Sequence, residues 1–162
     1  MSDGMNPIYD ENSTILILGS LPSEESIKNQ EYYSNRRNQF WKIISCVFEN
    51  KIIEFTNYDE KVSFLKKYDI ALWDVLSSAD RIGSLDKDIK NGKYNDLNSF
   101  IMQNKIKKVF VNGSDAATYL KEYLKSNCLN IAYIRLTSSS GTNTKFSLEE
   151  KIQIWKKSIK GN

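Results

Sequence analysis

The stretch Thr14-Ile-Leu-Ile-Leu-Gly-Ser-Leu-Pro22 decides the fold. Residues 14–18 are a continuous apolar run of strand length, without the alternation of a strand that keeps one wet face. Such a strand is buried on both sides, as in a parallel sheet covered by helices. Gly19 then lets the backbone approach a ligand or neighbour closely, and Pro22 fixes the turn. Working outward, residues 69–73 (Asp-Ile-Ala-Leu-Trp), 108–112 (Lys-Val-Phe-Val-Asn, closed by Gly113) and 130–136 read as three more strands. Helical spacing fills the gaps: residues 38–48, 59–68 and 95–104, then a segment that Ser114 can cap, in which Ala117, Leu120, Tyr123 and Leu124 share a face. Ser147 opens a last helix with Glu150 three residues on, a capping-box spacing, and Ile152, Trp155 and Ile159 form its apolar stripe.

Strands alternating with helices give an α/β fold, a three-layer α/β/α arrangement with a central four-stranded parallel sheet and right-handed crossovers. The whole chain, 1–162, reads as one domain, with residues 1–12 as a flexible lead-in. In such sheets ligands bind beyond the carboxyl ends of the strands. The segments 19–33, the residues after Trp73, 112–114 and 137–144 should therefore converge on one mouth.

Composition limits the chemistry available there. The chain holds 162 residues and no histidine, which removes Ser-His-Asp and Cys-His nucleophiles, His-based metal motifs and any imidazole acid–base step. Cys46 and Cys128 are too few for a zinc ribbon or a disulfide framework. A formal charge of +3 is compatible with a polyanionic partner, and equally with an ordinary solvated surface. No apolar run reaches 18 residues and the N-terminal segment, Met1 to Asn6, is polar in character, so neither a membrane span nor a signal peptide is expected. The setting expected is cytoplasmic. Catalysis, if any, rests on Asn, Asp, Glu, Ser, Tyr, Lys or backbone groups.

Between Gly19 and Trp41 runs a strand-to-helix loop rich in Tyr and Arg, longer than a connector needs. Its pieces are Gly19-Ser20-x-Pro22-x-x-x-Ser26, Tyr32-Tyr33 and Arg37-Asn38-x-Phe40-Trp41. Together they resemble the first motif of the uracil-DNA glycosylase superfamily, in the form carried by its hypoxanthine-DNA (deoxyinosine) glycosylase branch. The resemblance continues in order through Ala71-Leu-Trp-Asp-Val-Leu76, Arg81-Ile-Gly-Ser-Leu-Asp86, Val111-Asn-Gly113 with Ala116, and a Ser-rich loop before Lys151 and Trp155.

The resemblance implies a monofunctional glycosylase that excises a deaminated base, hypoxanthine or uracil, from DNA without metal or cofactor, as a monomer. Asn38 matches the branch's catalytic Asn; its side-chain oxygen could hold the attacking water, and it could also cap the next helix. Tyr33 holds the place where related enzymes set an aromatic ring on the flipped base. The backbone N–H groups of Ser20 and Leu21, beyond Gly19, could take a base carbonyl oxygen. Asp74 either reads a base edge or caps a turn, and Asn112 lines the pocket or makes a turn. Arg36, Arg37, Ser138, Ser139 and Ser140 are the expected DNA contacts. Arg81 and Asp86 could pair near the mouth. Branch members usually carry prolines in the serine loop, where Thr137 and Gly141 stand here. A glycosylase-fold protein that binds damaged or abasic DNA without turnover is the alternative. A flavodoxin-like nucleotide module is a further one, against which the absence of a phosphate-cradling Gly-rich motif weighs.

Overall fold

The computed structural model describes residues 2–81 and 89–161. Four strands form the central sheet: β2 (Ile15–Gly19), β3 (Ile70–Asp74), β6 (Lys108–Asn112) and β7 (Ile134–Leu136). Their spatial order is β3-β2-β6-β7 and every pairing is parallel. The apolar run explains why β2 is central. Ile17 points to one face, into a core with Phe110, Leu136 and the helices α2 (Phe40–Glu49), α3 (Tyr58–Lys67) and α6 (Leu148–Lys160). Leu16 and Leu18 point to the other, against α4 (Leu97–Gln103) and α5 (Ser114–Ser126). All three side chains are wholly enclosed, so neither face of the sheet meets water at β2 and the three-layer reading holds.

Three local readings change. Ser114 does not cap α5; the cap is Gly113, whose φ of 100° and tight approach to Ser138 suit glycine alone. The fourth strand is shorter than residues 130–136. A small antiparallel sheet, β1 (Ser2–Asp3), β4 (Leu76–Asp80) and β5 (Lys90–Tyr94), had no strand pattern to betray it, since β5 reads Lys-Asn-Gly-Lys-Tyr and is almost wholly exposed.

Residues 1–12, expected as a flexible lead-in, are tied down from Gly4 to Ile8. Gly4 N–H donates to Ser77 O, and Ile8 exchanges two backbone hydrogen bonds with Leu72. The carbonyls of Met5 and Asn6 accept from Trp73 Nε1 at 3.1 Å and Tyr32 OH at 2.9 Å. This segment covers the outer edge of β3, which would otherwise present unpaired backbone groups. No helix among the described residues is long and apolar enough to cross a membrane.

Candidate active site

Beyond the carboxyl ends of the strands lies a cavity of about 520 Å³, walled by residues 19–23, Tyr33, Asn38, Asp74, Asn112 and 138–142. The segments expected to converge do so. The loop after β2 is folded back by its own motif residues: Ser23 caps the short helix α1 (Glu24–Asn29), and Ser26 accepts a hydrogen bond from Ser34 N–H at 3.2 Å. Trp41 Nε1 donates to Tyr32 O at 3.0 Å, and Tyr32 N–H donates to Tyr58 OH at 3.0 Å. The backbone before Tyr33 is thereby pinned, and Tyr33 itself takes a left-handed conformation, φ 54°. That conformation costs a non-glycine residue about 1–3 kcal/mol and is sustained only by such surroundings. It lays the Tyr33 ring on Phe40, centroids 4.3 Å apart and planes 18° apart, and Tyr33 lines the cavity.

Gly19 makes room for what stands over it. A Cβ there would lie 2.6 Å from Asp74 Oδ1 and 3.1 Å from the Tyr33 hydroxyl. Asp74 is aligned with Gly19 in the β2–β3 register and is only 4% exposed. Burial pushes the neighbouring Tyr32 phenol far above its usual pKa, and the Asp74 carboxylate adds to the shift. Tyr32 is therefore a neutral hydrogen-bonding group throughout the working range.

From Tyr33 a hydrogen-bonded chain crosses the site floor. Asn112 Nδ2 donates to Tyr33 OH at 3.1 Å and to Ser139 Oγ at 2.8 Å, while Asn112 Oδ1 accepts from Ser139 N–H at 2.9 Å. Ser139 Oγ donates in turn to Asn38 Oδ1 at 2.9 Å. That same oxygen accepts from Phe40 N–H at 2.9 Å, so Asn38, one residue before the cap position Gln39, satisfies the first helical N–H of α2 as well as lining the cavity. The Phe40 N–H fixes which end of the amide is oxygen. Both in-plane lone pairs of Oδ1, the atom expected to hold a water, are thus used within the protein, and Nδ2 makes no hydrogen bond among the described residues.

Asn112 lines the cavity, one of its two expected places, and its Nδ2 and Oδ1 both bond within the site, to Tyr33 and Ser139, so it also holds the floor. Ser139, expected on DNA, is fully enclosed, and its carbonyl accepts from Gln39 N–H at 2.8 Å. Ser138 and Ser140 do reach the cavity, as does the Arg37 side of the loop. Arg36 is exposed and does not line it; neither arginine pairs with a carboxylate among the described residues. Arg81 donates to Pro22 O, while Asp86, its expected partner, lies outside the described residues.

The serine loop needs no proline to hold its shape. Asn143 Nδ2 spans it, donating to Thr137 Oγ1 at 3.0 Å and Ser138 O at 2.9 Å. Gly141 presses so close to Arg37 that a Cβ would meet its carbonyl oxygen at 2.5 Å. Sequence reading missed this bracing, and named Lys151 only within the resemblance without foreseeing its burial, 1% exposed beneath the loop. The signal was present: Lys151, Trp155 and Ile159 recur at four-residue spacing and share the buried face of α6.

Comparison with known proteins agrees with the geometry. The family model described as the uracil DNA glycosylase superfamily matches residues 7–158. A protein of Methanosarcina acetivorans named hypoxanthine DNA glycosylase is 37% identical over 145 residues, 89% of each chain. One of the same name from Methanosarcina barkeri is 33% identical over 158 residues, 97% of each. The solution NMR structure of a candidate uracil DNA glycosylase from Methanosarcina acetivorans has a TM-score of 0.77 at 34% identity, covering 96% of both chains. With one family model over nearly its whole length and relatives alike from end to end, the chain belongs to the uracil-DNA glycosylase superfamily.

Proposed function

We propose that the protein is a monofunctional DNA glycosylase that hydrolyses the N-glycosidic bond of a deaminated base, hypoxanthine ahead of uracil, as a cytoplasmic monomer using neither metal nor cofactor. One observation carries the reading: the chain Tyr33–Asn112–Ser139–Asn38 holds an aromatic ring and an amide at one cavity beyond the strand ends. The names of the two Methanosarcina relatives put hypoxanthine first.

An enzyme that removes a base from duplex DNA must extrude the nucleotide and hold the base by stacking and edge hydrogen bonds. Tyr33, backed by Phe40, supplies the stacking surface. The N–H groups of Ser20 and Leu21 meet the base carbonyl oxygen, and the Asp74 carboxylate meets the adjacent ring N–H. As the C1′–N bond breaks, its electron pair passes to the base, and those backbone dipoles stabilise the growing negative charge. The sugar becomes oxocarbenium-like. A water placed by Asn38 Nδ2 adds its oxygen to C1′, and one of its protons ends on the departed base. Such an electrophilic carbon needs a placed water more than a strong base, so the reaction proceeds without histidine.

Oligonucleotides holding one deoxyinosine, deoxyuridine or deoxyxanthosine test this directly. Alkali after incubation should cleave the deoxyinosine strand at the lesion. No abasic product from any of them, single- or double-stranded, would reject the reading.

Arg36 and Arg37 are the phosphate contacts of the rim. Replacing both with Ala should weaken DNA binding and lower the slope of log affinity against log salt by about two. An unchanged slope would remove them from the interface.

A further inference from the structure

Lys151 has no part in the chemistry above, yet its ammonium is buried behind the serine loop. Nζ donates to Gln39 Oε1 at 2.7 Å and to Ser140 O at 3.2 Å, both neutral acceptors. It pairs with no carboxylate among the described residues. Burying an ammonium costs several kcal/mol, whereas a methionine would fill the same volume without that cost. Desolvation accordingly pulls the Lys151 pKa below its usual value. One turn further along α6, Trp155 Nε1 donates to Thr137 O at 2.8 Å. The helix therefore draws two loop carbonyls inward.

All peptide bonds of the described chain are trans, and in a trans peptide the C=O and the following N–H point in opposite directions. Ser140 C=O turned in toward Lys151 means that Gly141 N–H turns out. Thr137 C=O turned in toward Trp155 does the same for Ser138 N–H. Ser138 and Gly141 line the cavity, and neither N–H donates to a protein acceptor among the described residues. Two outward N–H groups beside Arg37, with a buried cation beneath them, suit a phosphodiester oxygen.

We propose that Lys151 is a positioning residue for DNA: it holds the serine loop from below so that the Gly141 and Ser138 N–H groups meet the phosphate beside the flipped nucleotide. This rests on the glycosylase reading, and the test separates the two. Lys151→Met should melt at or above the native temperature, yet bind a strand holding a tetrahydrofuran abasic analogue at least about tenfold more weakly, the loss expected for charge-supported hydrogen bonds. Its single-turnover excision rate at saturating DNA should stay within about threefold of native, because Asn112 and Gln39 N–H pin Ser139, and through it Asn38, without Lys151. Lys151→Gln, which keeps a donor without charge, should fall between. A Lys151→Met dissociation constant within twofold of native, whatever the melting temperature, overturns the proposal. Should neither variant fold, native protein carries the test: the Ser138 and Gly141 amide proton resonances should move downfield on saturation with the abasic-analogue strand, and unmoved resonances overturn it. Native protein inactive on every deaminated base would retire the glycosylase reading. Active native protein with undiminished Lys151→Met binding would retire only the role of Lys151.

Discussion

Asn38→Ala should lower the single-turnover excision rate on deoxyinosine DNA by about 100-fold or more, the scale for one preorganised polar group. Affinity for the abasic-analogue strand should change less than about threefold, since phosphate contacts set binding. The same substitution removes a cap-like hydrogen bond from the start of α2, because Asn38 Oδ1 accepts from Phe40 N–H. That loss is worth about 1 kcal/mol and should lower the melting temperature by about 2–4 °C. Asn38→Asp separates the two effects. It keeps the oxygen that Phe40 N–H and Ser139 Oγ bind, so the cap survives, but it lacks the Nδ2 donor. Native stability with a rate as low as that of the alanine variant assigns the water to Nδ2. A native rate would assign it to the oxygen after all, and an alanine variant within threefold of native would remove Asn38 from the mechanism.

What could be read from the sequence follows from which interactions leave a periodic or compositional trace. The doubly buried run at 14–18 and the helical stripes carried the central sheet and its layers, because burial on both faces imposes apolar residues in sequence. The cavity position followed from topology alone. Motif residues such as Gly19, Tyr33 and Asn38 were found because several short pieces stood in order within one loop. The hydrogen bonds that organise them span 79 residues from Tyr33 to Asn112 and 101 from Asn38 to Ser139, and no local pattern records such a pairing. For the same reason Ser138, Ser139 and Ser140, alike in sequence, are unlike in space: all three border the cavity, but the middle one is wholly enclosed and bonded to Asn112 and Asn38, while its neighbours are partly exposed. The edge sheet escaped because β5 is stabilised by backbone pairing to β4 and buries little of its own.

Gly19→Ala should reduce excision by about 100-fold while leaving the fold intact, although it adds a single methyl group. Gly19 ends β2 with its backbone already matched to Asp74 in the parallel register, so the strand has no freedom to retreat. The added Cβ would stand 2.6 Å from Asp74 Oδ1, short of ordinary contact by the better part of an ångström, and 3.1 Å from the Tyr33 hydroxyl. Those two groups, proposed to read and to stack the base, must give way. Tyr33 can move only by leaving Phe40 or by lengthening its bond to Asn112, whose other contacts fix Ser139 and through it Asn38. One methyl therefore disturbs both ends of the floor, and misplacement of about 1 Å is enough to cost about 100-fold in rate. The glycine has no positive φ, so the effect is steric and its relief is predictable. Adding Tyr33→Phe, which removes the 3.1 Å contact, should restore part of the lost rate; measured in a double-mutant cycle, the two changes should be less than additive. Strict additivity, or a Gly19→Ala enzyme within threefold of native, would show that Asp74 and Tyr33 need not sit where Gly19 allows them.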